Sequence, residues 1–153
     1  MTMRRLLALA LAGMALLAAP APAAVKTLAA VPGAEVWLNE DHSVPVIAMT
    51  ASFPAGSAYD PSGKAGLAAM AARLLEEGAG RFEGAKFRAE LDARAIRLTV
   101  QPDRDRISVS LLVLSADAPE AFRMLGLALK APRFDVDSVT RIRLSMMQEI
   151  DED

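Results

Sequence analysis

The order of segments along the chain predicts an α+β fold, with helices packed on an antiparallel or mixed sheet. Three observations predict it. Two β-rich stretches lie near the start, two alternating segments between residues 96 and 111 read as a hairpin, and a pair of helix-forming stretches follows each pair of strands. The expected order is strand, strand, helix, helix, strand, strand, helix, helix, with no internal repeat or low-complexity tract.

Taken in order, residues 35–38 are β-prone and run into the polar turn cluster Asn39-Glu40-Asp41-His42-Ser43, after which residues 44–53 are β-rich again. These read as two neighbouring strands. Pro54-Ala55-Gly56-Ser57 and Asp60-Pro61-Ser62-Gly63-Lys64 are loop punctuation. Residues 66–77 then gather Ala, Leu, Met and Glu, all good helix formers, and Gly78 is expected to stop the helix just beyond its C-cap. Residues 86–93 read as a second, short helix. Apolar and polar residues alternate in Ile96-Arg97-Leu98-Thr99-Val100 and in Ile107-Ser108-Val109-Ser110-Leu111, and the polar stretch between them holds a proline, as a hairpin connection would. Residues 118–130 read as a helix with Pro119 in its first turn, and Ala131-Pro132-Arg133-Phe134 breaks it before a last helix from about Asp137. The Leu and Met positions of these last two helices, Met146-Met147 included, are expected in the core. Asp151-Glu152-Asp153 would set three acids beside the final carbonyls of that helix, against its dipole, which predicts that the natural domain continues past residue 153.

Composition excludes several classes of function. With 153 residues, 53% of them hydrophobic, the chain has the makings of one globular domain. Its 17 basic and 19 acidic residues leave a net charge of −2, so nothing favours a nucleic-acid partner, which needs a basic face. The absence of cysteine rules out disulfides, thiol catalysis, Cys-based zinc sites and a lipoprotein-type lipid anchor. No Gly-rich phosphate loop or nucleophile elbow is present.

At the N-terminus, Arg4 and Arg5 precede an apolar run over residues 6–19, and Ala21-Pro22-Ala23 supplies small residues beyond it. This is the layout of a signal peptide, residues 1–23, cleaved after Ala23, with a domain over 24–153. The run is too short for a comfortable membrane span, so the expectation is a secreted or periplasmic protein that is free of the membrane after cleavage. An uncleaved anchor is the alternative reading of the same residues.

Several segments in fixed order are similar to the start of insulinase/pitrilysin-family peptidases. They are Val36-Trp37-Leu38-Asn39-Glu40-Asp41-His42-Ser43-Val44-Pro45-Val46, then Phe53-Pro54-Ala55-Gly56-Ser57, Lys64-Ala65-Gly66-Leu67-Ala68 and Leu74-Leu75-Glu76-Glu77-Gly78-Ala79. The helix from Phe87 to Ala93, the hairpin, and Ala131-Pro132-Arg133-Phe134 with the helix after it extend the resemblance over roughly residues 33–153. Active members of that family are inverzincins with H-x-x-E-H on a helix just after the Gly-Leu-Ala step. Two imidazoles four residues apart share a helix face and bind zinc, and the Glu activates a zinc-bound water. Aligned on Gly66-Leu67-Ala68, those positions are Ala69, Ala72 and Arg73. Alanine offers no lone pair, and a protonated guanidinium places positive charge where the cation would sit. The family's third ligand, a later glutamate, falls on Glu149, and the resemblance suggests that Arg73 and Glu149 now pair. By itself Glu149 reads as a solvated acid on an amphipathic helix.

The other candidates are weaker. His42 sits in a polar turn and reads as an exposed loop residue, since a base needs an orienting neighbour. Glu76 and Glu77 read as acids in the last turn of a helix rather than as a catalytic pair. The resemblance implies two homologous halves or subunits closing round a peptide. The expectation is therefore a catalytically degenerate subunit or fragment, with no catalytic residue, no metal and no cofactor of its own, where active members hold zinc. Its partner would be a homologous active peptidase subunit, and a peptide substrate would occupy the chamber between them. Two alternatives stay open: part of an active zinc metalloendopeptidase with ligands supplied elsewhere, and a truncated gene product without function.

Overall fold

A computed structural model describes residues 25–29 and 32–151. The expected signal peptide lies outside the described residues, as do Glu152 and Asp153. The chain divides into a first unit that runs through Val44 and a second from Pro45 onward.

In the first unit, β1 (Lys26–Leu28) pairs antiparallel with β2 (Val36–Leu38), Lys26 opposite Leu38 and Leu28 opposite Val36. Gly33 in the connection has φ of 79°, a conformation that costs glycine nothing. Lys26 and Glu40 form an exposed ion pair at 2.6 Å. Three-residue β1 carries no alternation that a sequence pattern could detect.

The second unit is built on a three-stranded antiparallel sheet in the order β3-β7-β6, with β3 Val46–Phe53, β6 Arg97–Pro102 and β7 Ile107–Leu114. Sequence order suggested that β2 and β3 are neighbours. Hydrogen bonding gives them different partners: β2 pairs with β1, and β3 pairs with β7 along its whole length, from Val46 opposite Leu114 to Phe53 opposite Ile107. Alternation then sorts the side chains. Leu98, Val100, Val109, Leu111 and Val113 are buried on one face with Ile47 and Met49 beside them. The opposite face carries Thr50 against Ser110 at 3.2 Å and Ser52 against Ser108 at 3.0 Å. Among the described residues the helices cover the apolar face: α1 (Leu67–Leu74) lies on β6, and α3 (Ala118–Lys130) lies on β7. Phe87, Leu91, Ala121, Met124 and Leu125 fill the layer between. Burying each large apolar side chain contributes about 1.5–3 kcal/mol, so this layer holds the unit together.

Local chemistry sets the remaining geometry. Ser57 and Ala58 donate their amides to the carbonyls of Asp103 and Arg104, tying the loop after β3 to the β6–β7 turn. A side chain at Gly56 would collide with the Arg104 carbonyl, so that close approach requires glycine. α1 ends at Leu74, three residues short of the helix expected to reach Glu77. Glu76 and Glu77 donate their amides three residues back, to Arg73 and Leu74, so the helix tightens before it stops. Gly78, with φ of 134°, is not its cap; it opens a two-residue strand, β4 (Gly78–Ala79), paired with β5 (Phe82–Glu83). The helix α2 (Gly84–Asp92) begins two residues earlier than expected. A Cβ at Gly84 would lie 2.7 Å from the Glu77 carbonyl, so only glycine fits that start. The break at Ala131-Pro132-Arg133-Phe134 is docked on the small hairpin, with Gly80 N–H donating to Ala131 at 2.8 Å and Arg133 N–H to Gly78 at 3.1 Å. The last helix, α4 (Val136–Asp151), packs beside α1.

The expectation of a buried apolar face on the last two helices is met by α3 and corrected for α4. Met124 and Leu125 of α3 are buried, but of the α4 residues only Ile142 is. Met147 is 53% exposed, Leu144 57% and Ile150 73%, and Met146 is half-buried. Amphipathic periodicity marks one side of a helix as apolar, but it does not supply the surface that covers it.

Candidate functional site

The first turn of α1 is fixed from outside the helix. Gly66 takes φ of 90° and Asp60 reaches across the preceding loop, its two oxygens accepting from the N–H groups of Gly66 and Ala68, both at 2.8 Å. These bonds satisfy two of the amide donors that a helix start leaves open. The sequence showed Asp60 only as loop punctuation. An aspartate shortly before a helical stretch was the signal for its role.

With its start fixed, α1 presents its candidate positions to three environments. Ala69 is half-buried and lines a cleft of about 640 Å³. Ala72 is fully buried in the core cluster with Phe87 and Met124. Arg73 is turned towards α4, where its two terminal nitrogens each donate to one Glu149 oxygen at 2.7 Å. The pairing suggested from the sequence is thus present, bidentate and partly open to solvent, the side chains being 37% and 53% exposed. The guanidinium holds the Glu149 carboxyl below its ordinary range, and the Ser145 hydroxyl at 3.2 Å adds to this.

These four side chains do not fit zinc. Two are methyl groups, one is a cation, and the single carboxylate already has both oxygens on that cation. Among the described residues no three His, Asp or Glu side chains are grouped to hold a metal ion. His42 lies in the first unit and is exposed, next in sequence to Asp41, whose carboxylate accepts the Ser43 amide at 2.9 Å.

The two glutamates, read from the sequence as acids in the last turn of a helix, lie just past the end of α1 and both have partners on other elements. Glu77 is buried, with its side chain 10% exposed, and each of its oxygens takes an arginine: Arg88 of α2 at 3.0 Å and Arg141 of α4 in a shorter contact. One carboxylate thus ties together the exit of α1, α2 and α4. Glu76 is half-buried and accepts the Val100 amide of β6 at 2.6 Å. Burial pushes its carboxyl above the ordinary range, the Val100 N–H opposes that, and the charge of Glu77 adds to it. Both line the same cleft as Ala69 and Arg73. A shared cleft and a raised acid are features of acid–base sites, but here each carboxylate is committed to a structural donor. Sequence reasoning missed these roles because the partners lie 11 and 64 residues from Glu77 and 24 from Glu76.

The comparisons with known proteins agree with this architecture. The profile of the insulinase family (Peptidase family M16) matches residues 35–153. A non-peptidase homolog, YmxG, from Helicobacter pylori is 26% identical over 112 residues, which are 73% of this chain and 26% of that protein. The crystal structure of a peptidase M16 inactive domain from Pseudomonas fluorescens superposes with a TM-score of 0.78 at 24% identity, over 84% of this chain and 32% of that one. A protease from Helicobacter pylori superposes with a TM-score of 0.71 at 14% identity, over 83% and 30% of the two chains. The chain therefore spans about a quarter to a third of the length of these relatives.

Proposed function

The chain belongs to the insulinase family of peptidases, and on that premise we propose that it is a catalytically degenerate member, a subunit or fragment that pairs with an active zinc peptidase and forms part of the wall of its peptide chamber. The observation that carries this reading is the state of α1. Where an inverzincin helix would present two imidazoles and a carboxylate, this helix has Ala69, Ala72 and Arg73, and the glutamate at the third-ligand position is bound to Arg73. Two relatives support it, one described as a non-peptidase homolog and one as an inactive domain. Residues 1–23 are proposed as a signal peptide that exports the domain to the periplasm or beyond, on the strength of Arg4, Arg5 and the apolar run that follows.

The test is co-expression with an H-x-x-E-H-bearing family member of the same organism, followed by co-purification, zinc analysis and a peptide hydrolysis assay. The expected outcome is a stable complex whose zinc and activity belong to the partner. Peptide hydrolysis or stoichiometric zinc in the purified chain alone would overturn the degenerate reading, and failure to co-purify would overturn the pairing.

A further inference from the structure

Among the described residues β6 is an edge strand, hydrogen-bonded to β7 on one side only. Such an edge presents a row of amides and carbonyls that invites another extended chain. Its backbone donors point alternately towards β7 and away from it. The Val100 N–H donates to Glu76, a residue outside the sheet, so the outward set runs through positions 96, 98, 100 and 102. Three of those four are closed. The Ile96 N–H is held by the Leu91 carbonyl at 2.9 Å, Val100 is held by Glu76 at 2.6 Å, and residue 102 is proline, which has no N–H. The edge faces the cleft of about 640 Å³ lined by Leu98, Val100 and Pro102.

The three closures differ in kind. Pro102 is covalent, and the Ile96 bond belongs to the turn that ends α2. Glu76 alone is a side chain reaching in from another element, and a substitution can remove it while leaving the backbone of β6 intact. Without it, Leu98 and Val100 would stand as successive outward donors with their carbonyls, the repeat unit of an antiparallel ladder.

We propose that the Glu76 carboxylate is a plug on the open edge of β6, holding the Val100 amide and so withholding that edge from an extended peptide that would otherwise add as a strand. This rests on no partner subunit. It sharpens the proposed function in one respect: the chain contributes a wall to the chamber rather than a strand that grips the peptide.

Amide hydrogen exchange on the full chain tests the plug directly. The Val100 amide is expected to be protected in the wild type and in Glu76→Gln, whose side-chain oxygen still accepts, and to exchange roughly tenfold to a hundredfold faster in Glu76→Ala. The second arm titrates an acetylated, amidated octapeptide of alternating valine and threonine. Glu76→Ala is expected to bind it at least about tenfold more tightly than the wild type, with Glu76→Gln resembling the wild type. Exchange of the wild-type Val100 amide at the rate of an unstructured peptide overturns the proposal without any variant, and equal peptide affinity for wild type and Glu76→Ala overturns it as well. Neither result bears on co-purification with a peptidase, so this inference and the proposed function fail separately.

Discussion

Ala72 and Arg73 are consecutive on α1, yet one is sealed in the core and the other lies partly in solvent. The carboxylates near them repeat the contrast: Glu77 is buried between two arginines, and Glu149 meets its arginine at the surface. The difference shows what each side of the helix can accept. The inward side is closed over a methyl group and has no room for a charge, whereas the outward side holds an ion pair open to solvent.

The largest expected effect follows from the inward side. Replacing Ala72 with glutamate forces extra atoms and an unpaired carboxyl among Phe87, Met124 and Leu125. The loss should be about 3 kcal/mol or more, read as the shift of the denaturant midpoint. It follows that a triple Ala69→His, Ala72→Glu, Arg73→His variant should fold poorly, so the motif alone is not expected to create a metal site. A triple variant as stable as the wild type would show that Ala72 is less enclosed than the packing indicates.

Next is Glu77→Ala, which removes the carboxylate shared by Arg88 and Arg141. Both arginines are about half exposed and can turn to water, so the expected cost is about 2 kcal/mol, below that of stranding a fully buried charge. Arg88→Ala and Arg141→Ala should each cost less than Glu77→Ala, because the carboxylate keeps one partner. A double-mutant cycle measures the difference.

Glu76 gives a pH test whose sign opposes that of Glu149. Its folded-state carboxyl is raised, chiefly by burial, so folding favours the protonated form. Wild-type stability should therefore fall as pH rises from about 4.3, the ordinary glutamate value, through the raised value, and the fall should disappear in Glu76→Gln. Thermal melts across that range, wild type against variant, decide it. Equal slopes would mean that Glu76 titrates as an ordinary exposed acid.

What the sequence revealed follows the same division between local and distant causes. Strands β3, β6 and β7 and helices α1 and α3 were legible because alternation and helix-forming composition act over neighbouring residues. Strand β1 and the β4–β5 hairpin were not, since three- and two-residue strands exist only through their pairing partners. The early start of α2 depended on the closeness of Gly84 to Glu77, which no local pattern encodes. At the site, Ala69, Ala72, Arg73 and Glu149 could be picked out through a family resemblance, and the Arg73–Glu149 pair with them. Glu76 and Glu77 could not, because burial and distant arginines rather than residue type give them their roles.

The smallest effect belongs to the outward pair. Arg73→Ala should lower the melting temperature by no more than about 3 °C, since solvent-exposed ion pairs contribute about 1 kcal/mol or less. The more telling readout is its pH dependence. Arg73 holds the Glu149 carboxyl below its ordinary range, so the contribution of the pair is fully present above the unfolded glutamate value, about 4.3, and is lost as pH falls through the lowered folded value. Wild type and Arg73→Ala should differ at neutral pH and converge in acid, and about 1 M salt should bring them together at neutral pH as well, because the pair is open to solvent. A difference that survives both acid and salt would mean that the guanidinium acts through packing of its stem against α4, and the contrast between the two sides of α1 would then be one of shape rather than of charge.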